Sequence, residues 1–236
     1  MKIRLIAEGH TSFQRLFKRW GISFLIGEDI LFDVFGDDAI FLKNIRKFGI
    51  DLTKIRHIVI SHDDWDHTAG LRHVISINKD VSVTICPHTQ TDIKKMIQSH
   101  EVRLIEASDL LSITKKVYTT GELRGSSRDR LIYEQSLVIK TEKGLAVVCG
   151  CAHPNVLDIV RFAKDKFREN VHYLIGGFHL KDNDDETNMK IIKNLQFAGV
   201  SQIVPLHCTG TGARRLIKKI FGGGCLRLKE GETLDL

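Results

Sequence analysis

Residues 61–70 read Ser61-His62-Asp63-Asp64-Trp65-Asp66-His67-Thr68-Ala69-Gly70. Four side chains able to ligate a metal, His62, Asp64, Asp66 and His67, fall within six residues. Imidazole and carboxylate together suit zinc, iron or manganese. The run follows residues 55–61, a β-branched stretch that reads as a buried strand, and it precedes a glycine turn. A loop at a strand end can aim alternate side chains at one place, giving two ligand pairs instead of one continuous stripe. A solvated acidic turn explains the segment poorly, because charged turns seldom carry two flanking histidines as well.

Three more histidines follow apolar strands. His153 comes after residues 145–149 in Cys149-Gly150-Cys151-Ala152-His153-Pro154, His179 after 171–175 in Gly176-Gly177-Phe178-His179-Leu180, and His207 after 202–206 in Pro205-Leu206-His207-Cys208-Thr209-Gly210. Ligands gathered from the same ends of several strands make a site on a rigid scaffold. The Gly176-Gly177 approach fits close backbone packing beside a ligand.

Further out, residues 3–7, 22–26 and 30–34 read as strands, the last two joined by the turn Gly27-Glu28-Asp29. Ala39, Phe41, Leu42, Ile45 and Phe48 have helical spacing over 38–48, and Gly49 sits where a C-cap glycine belongs. Strands are expected over 81–86, 102–106 and 115–120, and helices over 89–99, 155–167, 184–198 and 212–221. A hairpin is expected from 134–141 and 145–149, and a last short strand over 226–228. Roughly a dozen strands are too many for one open sheet, so the class is α/β, with two stacked sheets and helices outside. Only three prolines and no low-complexity stretch point to a single domain over 1–236. Residues 9–20 and 124–130 are polar connections that read as lids or as plain surface loops.

The chain has 236 residues, 42% hydrophobic and 27% charged, which excludes long disorder. No apolar run reaches the about 18 residues a membrane span needs, and no secretory signal follows Met1. Five scattered cysteines, Cys86, Cys149, Cys151, Cys208 and Cys225, make no disulfide framework, and a cytoplasmic location is expected. The net charge of +6 would tolerate an anionic substrate and does not by itself indicate a nucleic-acid partner. Gly210-Thr211-Gly212 opens a helix whose amides could hold an anion, although a plain helix start explains it as well.

These pieces resemble the metallo-β-lactamase superfamily, whose motif is His-x-His-x-Asp-His after a strand, followed by later single ligands. The chain reads His62-x-Asp64-x-Asp66-His67, then His153 and His207. GISFLIGEDILFDVFG (21–36), EQSLVIK (134–140), GCAHP (150–154), GGFHL (176–180) and LHCTG (206–210) look like the subgroup labelled dihydropterin-ribofuranosylaminobenzene 5′-phosphate synthase-like. Matching pieces run from residue 3 to residue 212.

The resemblance implies an αβ/βα four-layer sandwich holding one or two divalent metal ions (zinc, iron or manganese). His62 and Asp64 would bind the first metal, and Asp66, His67 and His207 the second. His153 follows the strand where most members place a bridging Asp, which is absent here. The separate third-motif His is also missing, with Thr119, Thr120 and Glu122 in its region, so His153 can stand in as the third ligand. His179 would be a proton donor or a further ligand. Asp33 matches the family's buried Asp and would hydrogen-bond the ligand loop. Asp64 puts a carboxylate where the family has imidazole, which tilts the first site toward iron or manganese or weakens it to leave one metal.

The implied activity is metal-dependent hydrolysis of an ester-type small molecule, possible targets including phosphoesters, thioesters and lactones. A metal-held water would lose its proton and attack, with Asp66 and His179 as the catalytic residues. The positive charge weakly favours a phosphate-bearing substrate. Two other classes stay open. Asp64 would also suit a non-heme di-iron redox protein. The missing third-motif His and bridging Asp would suit a non-catalytic metal- or nucleic-acid-binding module. Among smaller features, Trp65 would wall the pocket or simply pack, and Cys208 reads as a packed thiol before a near-metal one. Cys149-x-Cys151 lacks the second cysteine pair of a zinc site.

Overall fold

A β-branched strand ahead of the His/Asp cluster, with Ile58, Val59 and Ile60 apolar in succession, belongs inside a parallel sheet covered on both sides. The computed structural model, which describes residues 1–127 and 130–236, places it there. The chain divides into two compact units, Met1–Asp109 with Leu228–Asp235, and Leu110–Arg227 with Leu236.

The first unit contains β1 (Lys2–Gly9), β2 (Gly21–Ile26), β3 (Ile30–Phe32), β4 (His57–Val59), β5 (Ser82–Ile85) and β6 (Arg103–Glu106). β1, β2 and β3 pair antiparallel, while β3 to β6 run parallel. Parallel neighbours need crossovers. These are supplied by α2 (Asp38–Lys47), by α3 (Trp65–Thr68) with α4 (Leu71–Ile77), and by α5 (Thr91–Ser99), while α1 (Ser12–Leu16) lies between β1 and β2. α2 begins where Asp37 accepts a hydrogen bond from the Ile40 amide at 2.9 Å, and Arg46 and Lys47 complement its C-terminal dipole. Its Phe41 and Ile45 join Ile58, Ile60, Leu71 and Val83 in one buried cluster.

The second unit contains β7 (Leu111–Ser112), β8 (Val117–Thr119), β9 (Leu123–Ser127), β10 (Arg130–Glu134), β11 (Leu137–Thr141), β12 (Gly144–Cys149), β13 (Val171–Gly177) and β14 (Gln202–Leu206). Its main sheet runs β14-β13-β12-β11-β8-β7, with β9 and β10 as a separate hairpin. β12, β13 and β14 are parallel, joined by α6 (Val156–Phe167) and α7 (Asp185–Phe197), and α8 (Thr211–Phe221) follows β14. Val147, Leu174 and Ile203 of the sheet pack with Ile159, Ile192 and Ile217 of the three helices. The chain then returns to the first unit, where β15 (Thr233–Asp235) pairs antiparallel with β1 and completes the order β15-β1-β2-β3-β4-β5-β6.

The α/β class expected from the sequence is what the chain forms. Several boundaries differ. The strands expected over 30–34 and 55–61 stop at Phe32 and Val59. Asp33 turns to a φ of +55° there, so its side chain leaves the ladder. No strand forms over 226–228. Leu226 donates one hydrogen bond to the Ile203 carbonyl at 2.9 Å, and Gly231, at φ +85°, turns the chain back so that the last strand is Thr233–Asp235. Residues 9–20 carry α1, whose start is a capping box between Thr11 and Gln14. Residues 124–130 are mostly strand, with Ile132 opposite Gly125 and Tyr133 opposite Arg124; Arg128 and Asp129 lie outside the described residues. Among the described residues, no helix is long and apolar enough to cross a membrane.

Candidate metal centre

In the first unit a fully buried carboxylate organises the ligand loop. Asp33 Oδ1 accepts from the Ser61 amide at 2.7 Å, and Oδ2 accepts from Ser61 Oγ at 2.7 Å and from His67 Nδ1 at 2.6 Å. A carboxylate only accepts, so His67 carries its proton on Nδ1 and presents Nε2. His62 Nδ1 lies 2.9 Å from Ser61 Oγ, which is already donating to Asp33. His62 therefore donates from Nδ1 and also presents Nε2. Burial works against a charge on His67, but the Asp33 and Asp66 carboxylates outweigh it and hold its pKa well above the ordinary imidazole value.

The outward nitrogens pair with the expected carboxylates. His62 Nε2 is 3.5 Å from Asp64 Oδ2, and His67 Nε2 is 3.5 Å from Asp66 Oδ2. That is too long for a good hydrogen bond. Two donors about 2.0–2.2 Å from one tetrahedral ion would stand about 3.4 Å apart, so both pairs have the spacing of ligands around a metal. The backbone is built close to hold them. Gly21, at φ +118°, starts β2 against the Asp66 carbonyl, where a Cβ would collide with the oxygen.

The second unit repeats the device. Glu134 Oε1 accepts from the Cys151 and Ala152 amides, each at 2.8 Å; Oε2 accepts from the His153 amide and from His153 Nδ1, also at 2.8 Å. The carboxylate is 1% exposed. It folds the turn after β12 around itself and leaves His153 Nε2 facing away. The segments after β12, β13 and β14 carry His153, His179 and His207, and the carboxyl ends of parallel strands are where ligands bind in such sheets. The His153 and His179 ring centroids are 4.5 Å apart. Ala152, His179 and His207 have φ of +61°, +48° and +45°. A non-glycine residue held there costs of order 1–3 kcal/mol, a strain that clusters at functional sites. Gly177 has no room for a Cβ, which would meet the Gly150 carbonyl and sit 2.7 Å from Cys208 Sγ.

Cys151, His179 and Cys208 are close neighbours. Burial pushes the pKa of Cys208 up, while a hydrogen bond to Cys151, the neighbouring His207 and a hydrogen bond to His179 bring it well below the ordinary thiol value. Trp65 is 44% exposed at the start of α3, its ring crowding Gly36. Ser61, Glu134 and Cys151 were not among the site residues expected from the sequence. Each lies inside or beside a quoted motif: Ser61 next to His62, Glu134 at the head of EQSLVIK, Cys151 two residues before His153.

No family model matches the chain. A relative from Methanocaldococcus jannaschii, 7,8-dihydropterin-6-methyl-4-(beta-D-ribofuranosyl)-aminobenzene-5′-phosphate synthase, is 28% identical over 99% of this chain and 96% of its own length. Tm1679, described as a metal-dependent hydrolase of the β-lactamase superfamily, superposes with a TM-score of 0.80 at 24% identity, over 100% of this chain and 99% of that one. The chain has the metallo-β-lactamase fold. Human tRNase Z, short form, shares that fold at a TM-score of 0.63 and 12% identity, over 100% and 99% of the two chains. The resemblance carried by the motifs is thus borne out in fold and in the relative it brings up. Within the metallo-β-lactamase fold, residues 62–67 occupy the loop and short helix after β4.

Glu134→Gln tests the second buried carboxylate. An amide can accept through one oxygen only, and its NH₂ would face the His153 donors. Metal affinity should fall by roughly 10–100-fold, the usual cost of losing a group that orients a histidine ligand. Chelator competition measures it, and unchanged retention would mean that His153 holds no metal.

Proposed function

We propose that the protein is a metal-dependent hydrolase of an ester-type small molecule, with residues 1–236 acting as one metallo-β-lactamase-like domain. The observation that carries this is the fastening of three histidines through Nδ1, His67 by Asp33, His62 by Ser61 and His153 by Glu134. Fastening of this kind fixes the tautomer and the ring direction of metal-binding histidines. His62 and Asp64 would hold a first divalent ion, Asp66, His67 and His207 a second, with His153 as third ligand of the first. When bound, the metals supply Lewis acidity toward the substrate oxygen and make water acidic near neutral pH.

The chain's own residues do the rest. Asp33 and Ser61 fasten both ligand-loop histidines through Nδ1 and fix the direction of each ring. Asp66 lies beside the reacting centre as a ligand and a hydrogen-bond acceptor. His179 handles the proton of the leaving group, an imidazole being suited to that near pH 7. Its Nε2 is 3.5 Å from Ser127 Oγ. Asp64 makes the first site harder, which favours iron or manganese over zinc. A phosphate-bearing substrate is favoured by the net charge of +6 and by the 5′-phosphate in the archaeal relative's name. A reducing compartment such as the cytoplasm suits five cysteines that form no disulfide.

The experiment is metal content measured together with hydrolysis of a panel of phosphoesters, thioesters and lactones. One or two metals per chain are expected, with chelation abolishing turnover and added manganese, iron or zinc restoring it. A chain that retains metal but hydrolyses no member of the panel would overturn the hydrolase reading.

A further inference from the structure

Three soft donors meet in the second unit, outside the ligand set assigned above. Cys151 Sγ, Cys208 Sγ and a ring nitrogen of His179 all lie within 4.8 Å of one another. Neither cysteine is in a disulfide, and they are 4% and 1% exposed. Among the described residues, the buried His179 Nδ1 has no hydrogen-bond partner. A ring nitrogen in that state is costly unless something uses its lone pair or its proton. The surrounding backbone is shaped for the cluster. His179 is held in the left-handed region, and Phe178 donates its amide to Thr209 Oγ1 at 3.2 Å, which ties the end of β13 to the turn carrying Cys208.

We propose that Cys151, Cys208 and His179 form a binding site for a thiophilic divalent cation of the zinc class. Zinc bonds thiolate at about 2.3 Å and imidazole at about 2.0–2.1 Å, so three such donors on a tetrahedral ion stand about 3.5–3.8 Å apart. The cluster needs a contraction of about 1 Å or less to reach that. Two sulfurs and one nitrogen leave a fourth position open. As the metal–sulfur bonds form, each thiol gives its proton to solvent, and no electrons are transferred. The donor set is softer than the carboxylate-rich loop around Asp64 and Asp66, so the two sites sort metals by hardness. Occupancy would also withdraw His179 from proton transfer and make excess zinc inhibitory. That last consequence rests on the hydrolase reading; the site itself does not.

Cobalt(II) distinguishes the donors, because only thiolate ligation gives an intense sulfur-to-cobalt charge-transfer absorption in the near ultraviolet. The full chain, reduced and stripped with chelator, is titrated with Co²⁺. The expected result is that band in the wild type and its loss in the Cys151→Ser/Cys208→Ser double variant, with the circular dichroism unchanged. No band in the wild type, or a band that survives in the double variant, overturns the proposal. Should the double variant fail to fold, alkylation of the wild type with and without Co²⁺ decides instead. Cys151 and Cys208 should be selectively protected, with Cys86, Cys149 and Cys225 as internal references. Protection of other cysteines alone overturns the site. Neither readout uses hydrolysis, so failure of the hydrolase reading and failure of this site are distinguishable.

Discussion

Asp33→Ala is expected to destabilise the protein by roughly 3–5 kcal/mol, the cost of removing one partner from a buried charged network. The carboxylate is 0% exposed and accepts from the Ser61 amide, Ser61 Oγ and His67 Nδ1. Alanine leaves all three donors buried without an acceptor and opens a cavity at the end of β3. Urea unfolding of the metal-free chain measures the loss. Metal retention by the same variant should fall as well, since His67 is no longer held in one tautomer. Asp33→Asn separates the two effects. It restores the volume and one acceptor, so much of the stability should return, but its NH₂ opposes the His67 donor and metal retention should stay low. A loss below about 1 kcal/mol in the alanine variant would mean that the network relaxes to water or to other partners.

His179→Ala is expected to keep the fold and the iron or manganese content while losing roughly 10²–10⁴ in rate, the usual range for a general acid or base. Six other residues are assigned to the two metals, which leaves His179 for the proton. Its Ser127 neighbour at 3.5 Å gives the ring a polar contact on the Nε2 side. The change should appear in kcat more than in KM, and one limb of the pH–rate profile should disappear with the imidazole. Loss of a whole metal equivalent would instead make His179 a ligand and move His153 into a supporting role.

The sequence by itself determined the fold class and where the candidate metal ligands cluster. Clustered His62, Asp64, Asp66 and His67 after a β-branched strand are a local pattern, and local patterns are legible because their geometry depends on few neighbours. The later alternation of apolar strands and amphipathic helices was legible for the same reason, while the hydrogen bonds of Asp33 to the loop were implied by its match to the family's buried Asp.

Only the tertiary structure decided which groups distant in sequence come together. Glu134 and His153 are 19 residues apart, and their 2.8 Å bond exists because β10 and the turn after β12 are brought together. Cys151 and Cys208 are separated by 57 residues and become neighbours only through the parallel register of β12, β13 and β14. Local spacing carries no record of such pairings, since register is set by packing across whole strands. The final strand shows the same limit. Leu226 and its neighbours are apolar enough to suggest pairing, yet the free edge of β1 is met by Thr233–Asp235, after the turn at Gly231. The position of an edge, and of the turn that reaches it, belongs to the assembled sheet and not to three residues.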